Sequence, residues 1–303
     1  MKSDPNGISL IVPVFNEAEG IGRVLEQVEP VLRQTGLAAE IIVVDDGSHD
    51  GTAVAASQRP SVKLLRHNRN RGYGAALKTG IRHARYELIC ITDGDGTYPN
   101  ERIAELVDRL QTGSADMVIG ARLGRKAAIP WVRRPAKWFV NRFAAYVAGE
   151  SIADVNSGLR VFPRSVAIGL FYLLPDGFSF TTTLTLAMLA SGYLVDYVPI
   201  QYFDRVGKSK IRPIADTLAF IQLISRIALY FAPLRVFLPL SGALLLMALF
   251  WAGASAVAFG RVADASTAVI ATAGVQLAAV GLLAELINGR LATRTDKDSE
   301  ADS

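Results

Sequence analysis

One cysteine, three histidines and a small excess of charge deny this chain of 303 residues several common chemistries. Cys90 has no intramolecular partner and lies in an apolar run, so no internal disulfide forms and the thiol reads as a small buried hydrophobe. His49, His67 and His83 do not recur at metal-ligand spacing, which argues against a histidine-built zinc centre. The net charge is only +4, and the basic residues are not interleaved with an aromatic platform. Nucleic acid is therefore not an expected partner. Residues 1–7 are polar and carry no signal-peptide pattern, an arrangement expected to keep the N-terminal domain on the cytoplasmic side. The most informative absence is charge itself, missing over 25 residues from Val236 to Gly260 and over 20 from Ala265 to Ala284. A helix needs about 20 apolar residues to span a bilayer. Helices in the core of soluble proteins rarely stay uncharged for so long.

What precedes these runs alternates between strand and helix. Ile8 to Val14 reads as a strand, with Asn16 as the cap of a helix carrying Ile21, Val24, Leu25, Val28 and Leu32 at helical spacing. Glu40 to Val44 is a second strand, ending in Asp45 and Asp46, with Asp50 capping the helix after it. Val62 to Arg66 is a short third strand. Repeated βα units predict a mainly parallel, doubly wound α/β sheet with a core of ordinary domain size.

The strand Leu88–Ile91 stops at Asp93-Gly94-Asp95-Gly96. Open α/β sheets bind ligands at the carboxyl ends of their strands, so this turn is the predicted active site. One residue of separation lets the two carboxylates converge on a divalent cation, Mg²⁺ or Mn²⁺, and the glycines allow turns that bulkier residues resist. Pro99 and Asn100 start another helix, Gly113 ends it, and Met117 to Gly120 forms a strand that hands over Arg122.

The three acidic strand ends, together with Asp93-Gly-Asp95 at this spacing, resemble the family 2 glycosyltransferases with the nucleotide-sugar-binding GT-A fold. The likeness covers about the first 210 residues. It implies that Pro13, Phe15 and Glu17 line a nucleotide and that the Asp45-Asp46-Gly47 turn supplies a carboxylate to its base or ribose. Gly72-Tyr-Gly74 would open a helix beside the donor pocket. Arg122, the aromatic and basic segment Trp131–Phe139 with Arg134, and Asn156-Ser-Gly-Leu-Arg160 narrow the resemblance to the polyprenyl-phosphate type, similar to dolichyl-phosphate mannose synthase. So does Arg205-Val-Gly-Lys-Ser-Lys210. In such enzymes Arg122, Arg134, Arg160, Arg205 and Lys210 would face the acceptor phosphate, and Arg205 would join Asp93 and Asp95 in catalysis. Guanidinium groups suit that task because they pair phosphate oxygens bidentately.

One departure from the family pattern bears on the acceptor. Asp176 to Thr183 places hydroxyls where many relatives carry a catalytic carboxylate. A sugar hydroxyl needs a base, whereas a phosphate monoester with a second ionisation near pH 6 is already mostly deprotonated at pH 7. The substitution fits a lipid phosphate, with Asp154 and Asp176 left as carboxylates able to fill the gap.

The sequence thus divides into a cytoplasmic catalytic domain over 1–210, an amphipathic interfacial helix over 211–235, two transmembrane helices over 236–289 and a disordered cytoplasmic tail over 290–303. Arginine flanks both spans, at Arg226, Arg235, Arg290 and Arg294, against only Arg261 between them, so both termini are expected in the cytoplasm of a multi-pass plasma-membrane protein. The resemblance implies inverting transfer of a hexosyl unit from GDP-mannose or a UDP-hexose to a polyprenyl phosphate. Two other readings compete. A polysaccharide synthase would carry a Gln-x-x-Arg-Trp element and more spans, and neither is present; a silent nucleotide-binding scaffold, one that recruits a flippase partner, would not need Asp93 and Asp95 intact. Gly242, Ala243 and Gly253 offer a small-residue surface for homo-oligomers.

Overall fold

The computed structural model describes residues 4–113, 115–122, 153–154, 156–177, 179–203, 229–230 and 233–301, with side chains described as far as 287. Arg134, Arg205, Lys210 and most of the expected interfacial helix lie outside the described residues. The chain separates into two compact units, 1–221 and 222–303.

The first unit begins with the expected βα repeats: β1 (Asp4–Val14), α1 (Ala18–Gln34), β2 (Ala38–Asp45), α2 (Thr52–Ser57), β3 (Val62–Arg66), α3 (Tyr73–His83) and β4 (Tyr86–Ile91). A 3-10 turn (Asn100–Arg102) leads into α4 (Ile103–Gln111), followed by β5 (Met117–Ala121), β6 (Arg160–Pro163), α5 (Arg164–Gly169), α6 (Phe180–Ala190) and β7 (Val195–Pro199). The seven strands lie in the order β3-β2-β1-β4-β6-β5-β7. Every pairing is parallel except those of β6, which runs antiparallel between β4 and β5. The sheet is therefore mainly parallel but mixed.

Burial explains the composition of the central strands. Ile8, Leu10 and Val12 of β1 pack with Ile21, Val24, Leu25 and Val28 of α1 in a core that reaches Ile103, Leu106 and Val107 of α4. Each fully buried Ile or Leu contributes about 1.5–3 kcal/mol. On the other face α3 lies against the sheet at Gly80, where an added Cβ would stand 2.5 Å from Ile11 Cγ2. Cys90 is fully buried, and burial holds its thiol well above the usual range.

One helix cap differs from expectation. The cap of α1 is Glu17, while Asn16 sits in the left-handed region at φ 54° and its Oδ1 accepts a hydrogen bond from His49 N. Asp50 serves both neighbouring helix starts, accepting Thr52 N at 3.0 Å and Ala18 N at 3.3 Å. Burial raises its carboxyl, but these bonds more than offset that and leave its pKa lowered.

The second unit contains α7 (Pro233–Phe259) and α8 (Asp264–Ala301). Both carry windows long and apolar enough to cross a bilayer, Pro233–Phe259 and Asp264–Ile287. They pack through small residues: an added Cβ at Gly281 would meet Phe237 Cβ at 2.7 Å, and Ser241 Oγ donates to Gly274 O at 2.7 Å. Leu246, Leu249, Phe250 and Val257 remain exposed. Glu285 accepts a hydrogen bond from Leu234 N at 3.5 Å, in the first turn of α7. The backbone of α8 runs on past the apolar window to Ala301.

Candidate active site

The β4 edge carries two carboxylates, Asp93 and Asp95, on a tightly packed turn. Gly94 turns beneath the end of β1, where an added Cβ would lie 2.4 Å from Val14 Cγ1, and at Gly20 an added Cβ would lie 2.7 Å from Gly94 O. This close approach of α1 fixes the turn. Asp93 and Asp95 both stay half-buried. Tyr73 donates its hydroxyl to Asp93 Oδ1 at 2.9 Å, while Thr97 donates N–H and O–H to Asp95 Oδ1 at 3.1 and 2.7 Å. Burial, and then the charge of Asp95, push the Asp93 carboxyl up to about 6. The hydrogen bond from Tyr73 and the charges of Arg122 and Arg160 hold it back from rising further.

These features fit a divalent ion. A carboxyl whose pKa is raised by burial and by a neighbouring carboxylate is stabilised as the anion by a cation, and Mg²⁺ and Mn²⁺ take one or two protein carboxylates and fill their remaining positions with phosphate oxygens and water. Among the described residues no group of three His, Cys, Asp or Glu gathers as a metal cage.

The turn before β6 closes the other side. Ser157 Oγ donates to Gly120 O at 2.5 Å and Gly158 N donates to the Tyr98 hydroxyl at 2.6 Å. Gly158 faces Asp93 so closely that a Cβ there would lie 2.6 Å from Oδ2. Tyr98 packs edge-on to Tyr202, and the Arg122 guanidinium lies 5.3 Å from the Tyr202 ring centre. Phe203 N donates to Thr97 O at 2.9 Å, so the chain after β7 reaches the carboxylate turn.

Several expected site residues occupy different positions. Arg160 is fully buried and donates to Ser157 O, Thr181 O and Thr185 Oγ1, the last two at 2.8 and 2.9 Å. Arg160, expected at an acceptor phosphate, is here bonded within the protein: the antiparallel course of β6 sets it opposite Ile91 at the site edge of the sheet, where its side chain ties the Ser157-Gly158 turn to α6. The Asp45-Asp46 pair is likewise turned toward the protein. Asp45 accepts Ser48 N at 2.9 Å and lies 3.1 Å from Arg66 Nε, a charge contact without hydrogen-bond alignment. Asp46 accepts Arg71 N, Gly72 N and His67 Nδ1 at 2.7–2.9 Å. Both carboxylates are almost inaccessible. Gly47, at φ 78°, crosses under Arg69, whose carbonyl carbon would lie 2.6 Å from an added Cβ. Pro13 is buried, whereas Phe15 and Glu17 are half-buried at the edge of the sheet.

The glycines at the start of α3 bring it against another loop of the protein. Gly74 N donates to Gly177 O and Ala75 N to Asp176 O at 3.2 and 3.0 Å, so the first amides of the helix are taken by the 175–177 loop. Lys78 pairs Asp176 at 2.6 Å across the same contact.

Arg122 directly follows β5 and is engaged by Asp154 in a two-point ion pair at 2.7 and 2.9 Å. Burial raises the Asp154 carboxyl, yet Arg122 more than offsets this and holds it below the usual range. Asp154 is thus paired with arginine, and Asp176 is exposed and paired with Lys78. Sequence reasoning missed Tyr73 and Gly158, which touch Asp93 directly; the Gly-Tyr-Gly and Ser-Gly elements containing them were visible but were assigned other tasks.

Comparison with known proteins agrees with this geometry. The sequence model for Glycosyl transferase family 2 matches residues 9–171, and that for the GtrB C-terminal hairpin matches residues 232–290. The chain is 27% identical over 301 residues to a dodecaprenyl-phosphate galacturonate synthase of Rhizobium johnstonii, covering 92% of this chain and 87% of that one. It is 30% identical over 216 residues to a polyprenol monophosphomannose synthase of Mycolicibacterium smegmatis, covering 67% and 80%. In fold it resembles the mannosyl-3-phosphoglycerate synthase of Rubrobacter xylanophilus, with a TM-score of 0.58, 21% identity, and coverage of 73% and 74%. A similar likeness, with a TM-score of 0.57, 19% identity, and coverage of 74% and 78%, links it to glucosyl-3-phosphoglycerate synthase of Mycobacterium tuberculosis, solved with Mn²⁺, UDP and phosphoglyceric acid.

Proposed function

Since this chain belongs to glycosyl transferase family 2 and ends in a GtrB-type hairpin, we propose that it transfers a hexosyl unit from a nucleotide diphosphate sugar to a polyprenyl phosphate at the cytoplasmic face of the membrane. The observation that carries this reading is the Asp93-Gly94-Asp95 turn at the carboxyl end of β4, in a chain whose second unit has two helices apolar enough to span a bilayer. Its relatives named as polyprenyl-phosphate synthases support the acceptor class.

Asp93 and Asp95 are the residues that would hold Mg²⁺ or Mn²⁺. A bound divalent ion supplies positive charge to the departing diphosphate, and at an effective dielectric of about 20 one unit-charge pair ~4 Å apart contributes about 4 kcal/mol. Tyr73 keeps Asp93 aimed, and Thr97 does the same for Asp95. The acceptor phosphate oxygen forms the new bond to the anomeric carbon as the bond from that carbon to the diphosphate breaks, with inversion. No proton has to be removed from the nucleophile, which accords with the pairing of Asp154 and Asp176 to cations. Arg122, close to the Tyr98–Tyr202 pair, is positioned to exchange its Asp154 partner for the acceptor phosphate. Arg134, Arg205 and Lys210 would complete a basic acceptor cradle, and Pro13, Phe15 and Glu17 a wall for the nucleotide.

Purified full-length protein incubated with a panel of radiolabelled GDP- and UDP-sugars and polyprenyl phosphate tests this reading. One donor should give a lipid-extractable labelled product that requires both acceptor and divalent ion. Product from water or a sugar alcohol, with none on polyprenyl phosphate, would overturn the acceptor.

A further inference from the structure

Asp46 lies at the end of β2, yet its contacts lead to the carboxylates at the end of β4. His67 Nδ1 and Asp46 Oδ1 are 2.7 Å apart, and His67 Nε2 is 2.9 Å from Thr79 Oγ1 on α3. A carboxylate only accepts, so Nδ1 carries the proton toward Asp46. Asp46 also accepts Arg71 N and Gly72 N at 2.9 and 2.8 Å, which fixes the backbone immediately before Tyr73. Little slack remains in that segment. Gly72 adopts φ 102°, a conformation closed to side-chain-bearing residues, and an added Cβ would meet Asp176 O at 2.5 Å. Tyr73 then delivers its hydroxyl to Asp93 Oδ1 at 2.9 Å.

From this chain of contacts we propose that Asp46 and His67 are positioning residues of the donor site, setting Tyr73, which in turn sets Asp93. Asp46 thereby gains a task distinct from touching the nucleotide. The inference rests on the reading of Asp93 as part of the donor site. It requires that His67 and Tyr73 act along one path, so their effects must not multiply.

The test uses full-length protein in detergent as wild type, His67→Ala, Tyr73→Phe and the double variant, with Thr79→Val as a milder substitution that keeps the Asp46–His67 pair. Three quantities are read: hydrogen exchange across residues 67–73, binding of Mn²⁺ alone by electron paramagnetic resonance, and kcat/KM for the donor. Loss of a hydrogen bond to a charged acceptor weakens a function by about tenfold to a hundredfold. Each single variant should lose that much in Mn²⁺ affinity and donor kcat/KM, and the double variant should lose no more than the worse single one. His67→Ala should also speed exchange at Arg71 and Gly72. Unchanged exchange in His67→Ala, or a double-variant loss equal to the product of the single losses, overturns the proposal. If His67→Ala does not fold, the cycle of Thr79→Val with Tyr73→Phe decides by the same criterion. Wild-type protein with neither transfer nor Mn²⁺ binding removes the proposed function, while the exchange measurement still shows whether His67 holds the segment.

Discussion

Gly158→Ala separates activity from stability. The three heavy atoms nearest the added methyl all belong to the Asp93 side chain: Oδ2 at 2.6 Å, Oδ1 at 2.8 Å and Cγ at 2.9 Å. To reach ordinary contact at 3.4 Å from 2.6 Å, Oδ2 must retreat by about 0.8 Å. Asp93 can make this movement by rotating its side chain, so the fold should accept the alanine. The rotation nevertheless pulls Oδ1 from Tyr73, a hydrogen bond to a charged group that contributes about 1.5–3 kcal/mol. Displacement of a reacting constellation by ~1 Å can itself cost about a hundredfold. Transfer by Gly158→Ala should therefore fall by one to two decades, with its melting temperature and lipid extraction behaviour close to wild type. The assay is initial-rate transfer at saturating acceptor, paired with thermal unfolding of the same preparation. Normal activity would show that Asp93 is not held where the chemistry needs it, and a collapse in melting temperature would show that Gly158 serves the fold instead.

Arg122→Ala, Arg134→Ala and Arg205→Ala should each weaken acceptor dependence by about tenfold to a hundredfold, as expected for a charge-assisted hydrogen bond, and leave donor affinity by calorimetry largely intact. Donor loss with a normal acceptor response would assign these cations to the diphosphate. Asp154, with its folded pKa lowered by Arg122, contributes stability that is present above the unfolded value of about 3.9 and is lost as pH falls through the lower folded value. Acid unfolding of Asp154→Asn should accordingly depend less on pH in that range than wild type, and an identical profile would contradict the pairing. Reporters placed before Met1 and after Ser303 should both read cytoplasm, and one between Arg261 and Asp264 the opposite side; a soluble full-length chain would contradict the spans.

The sequence carried the sheet more fully than it carried the site. Apolar runs ending in acid made β1, β2 and β4 legible, because a strand buried on both faces and stopped by a turn leaves a one-dimensional signature. The same signature placed Asp93 and Asp95 just past the end of β4, where they stand. The direction of β6 was not legible, since a four-residue strand reads identically both ways, and neither were the partners of Arg160, which are Ser157 and Thr181. The roles of Gly72 and Gly74 were equally hidden. A glycine announces close approach without naming what approaches, and here it is the 175–177 loop, about a hundred residues away in the chain. Asp46 illustrates the same limit, because an acidic strand end looks alike whether it serves a ligand or two backbone amides.

The central claim is that the carboxylates on the β4 edge drive sugar transfer to a lipid phosphate. It is tested most directly by comparing purified wild type with Asp95→Ala for metal-dependent transfer from the active nucleotide sugar to polyprenyl phosphate, with membrane insertion and melting followed in parallel. The wild type should form labelled polyprenyl phosphate sugar, and Asp95→Ala should form almost none while inserting and melting normally. Undiminished transfer by Asp95→Ala, with the metal present, would contradict the claim.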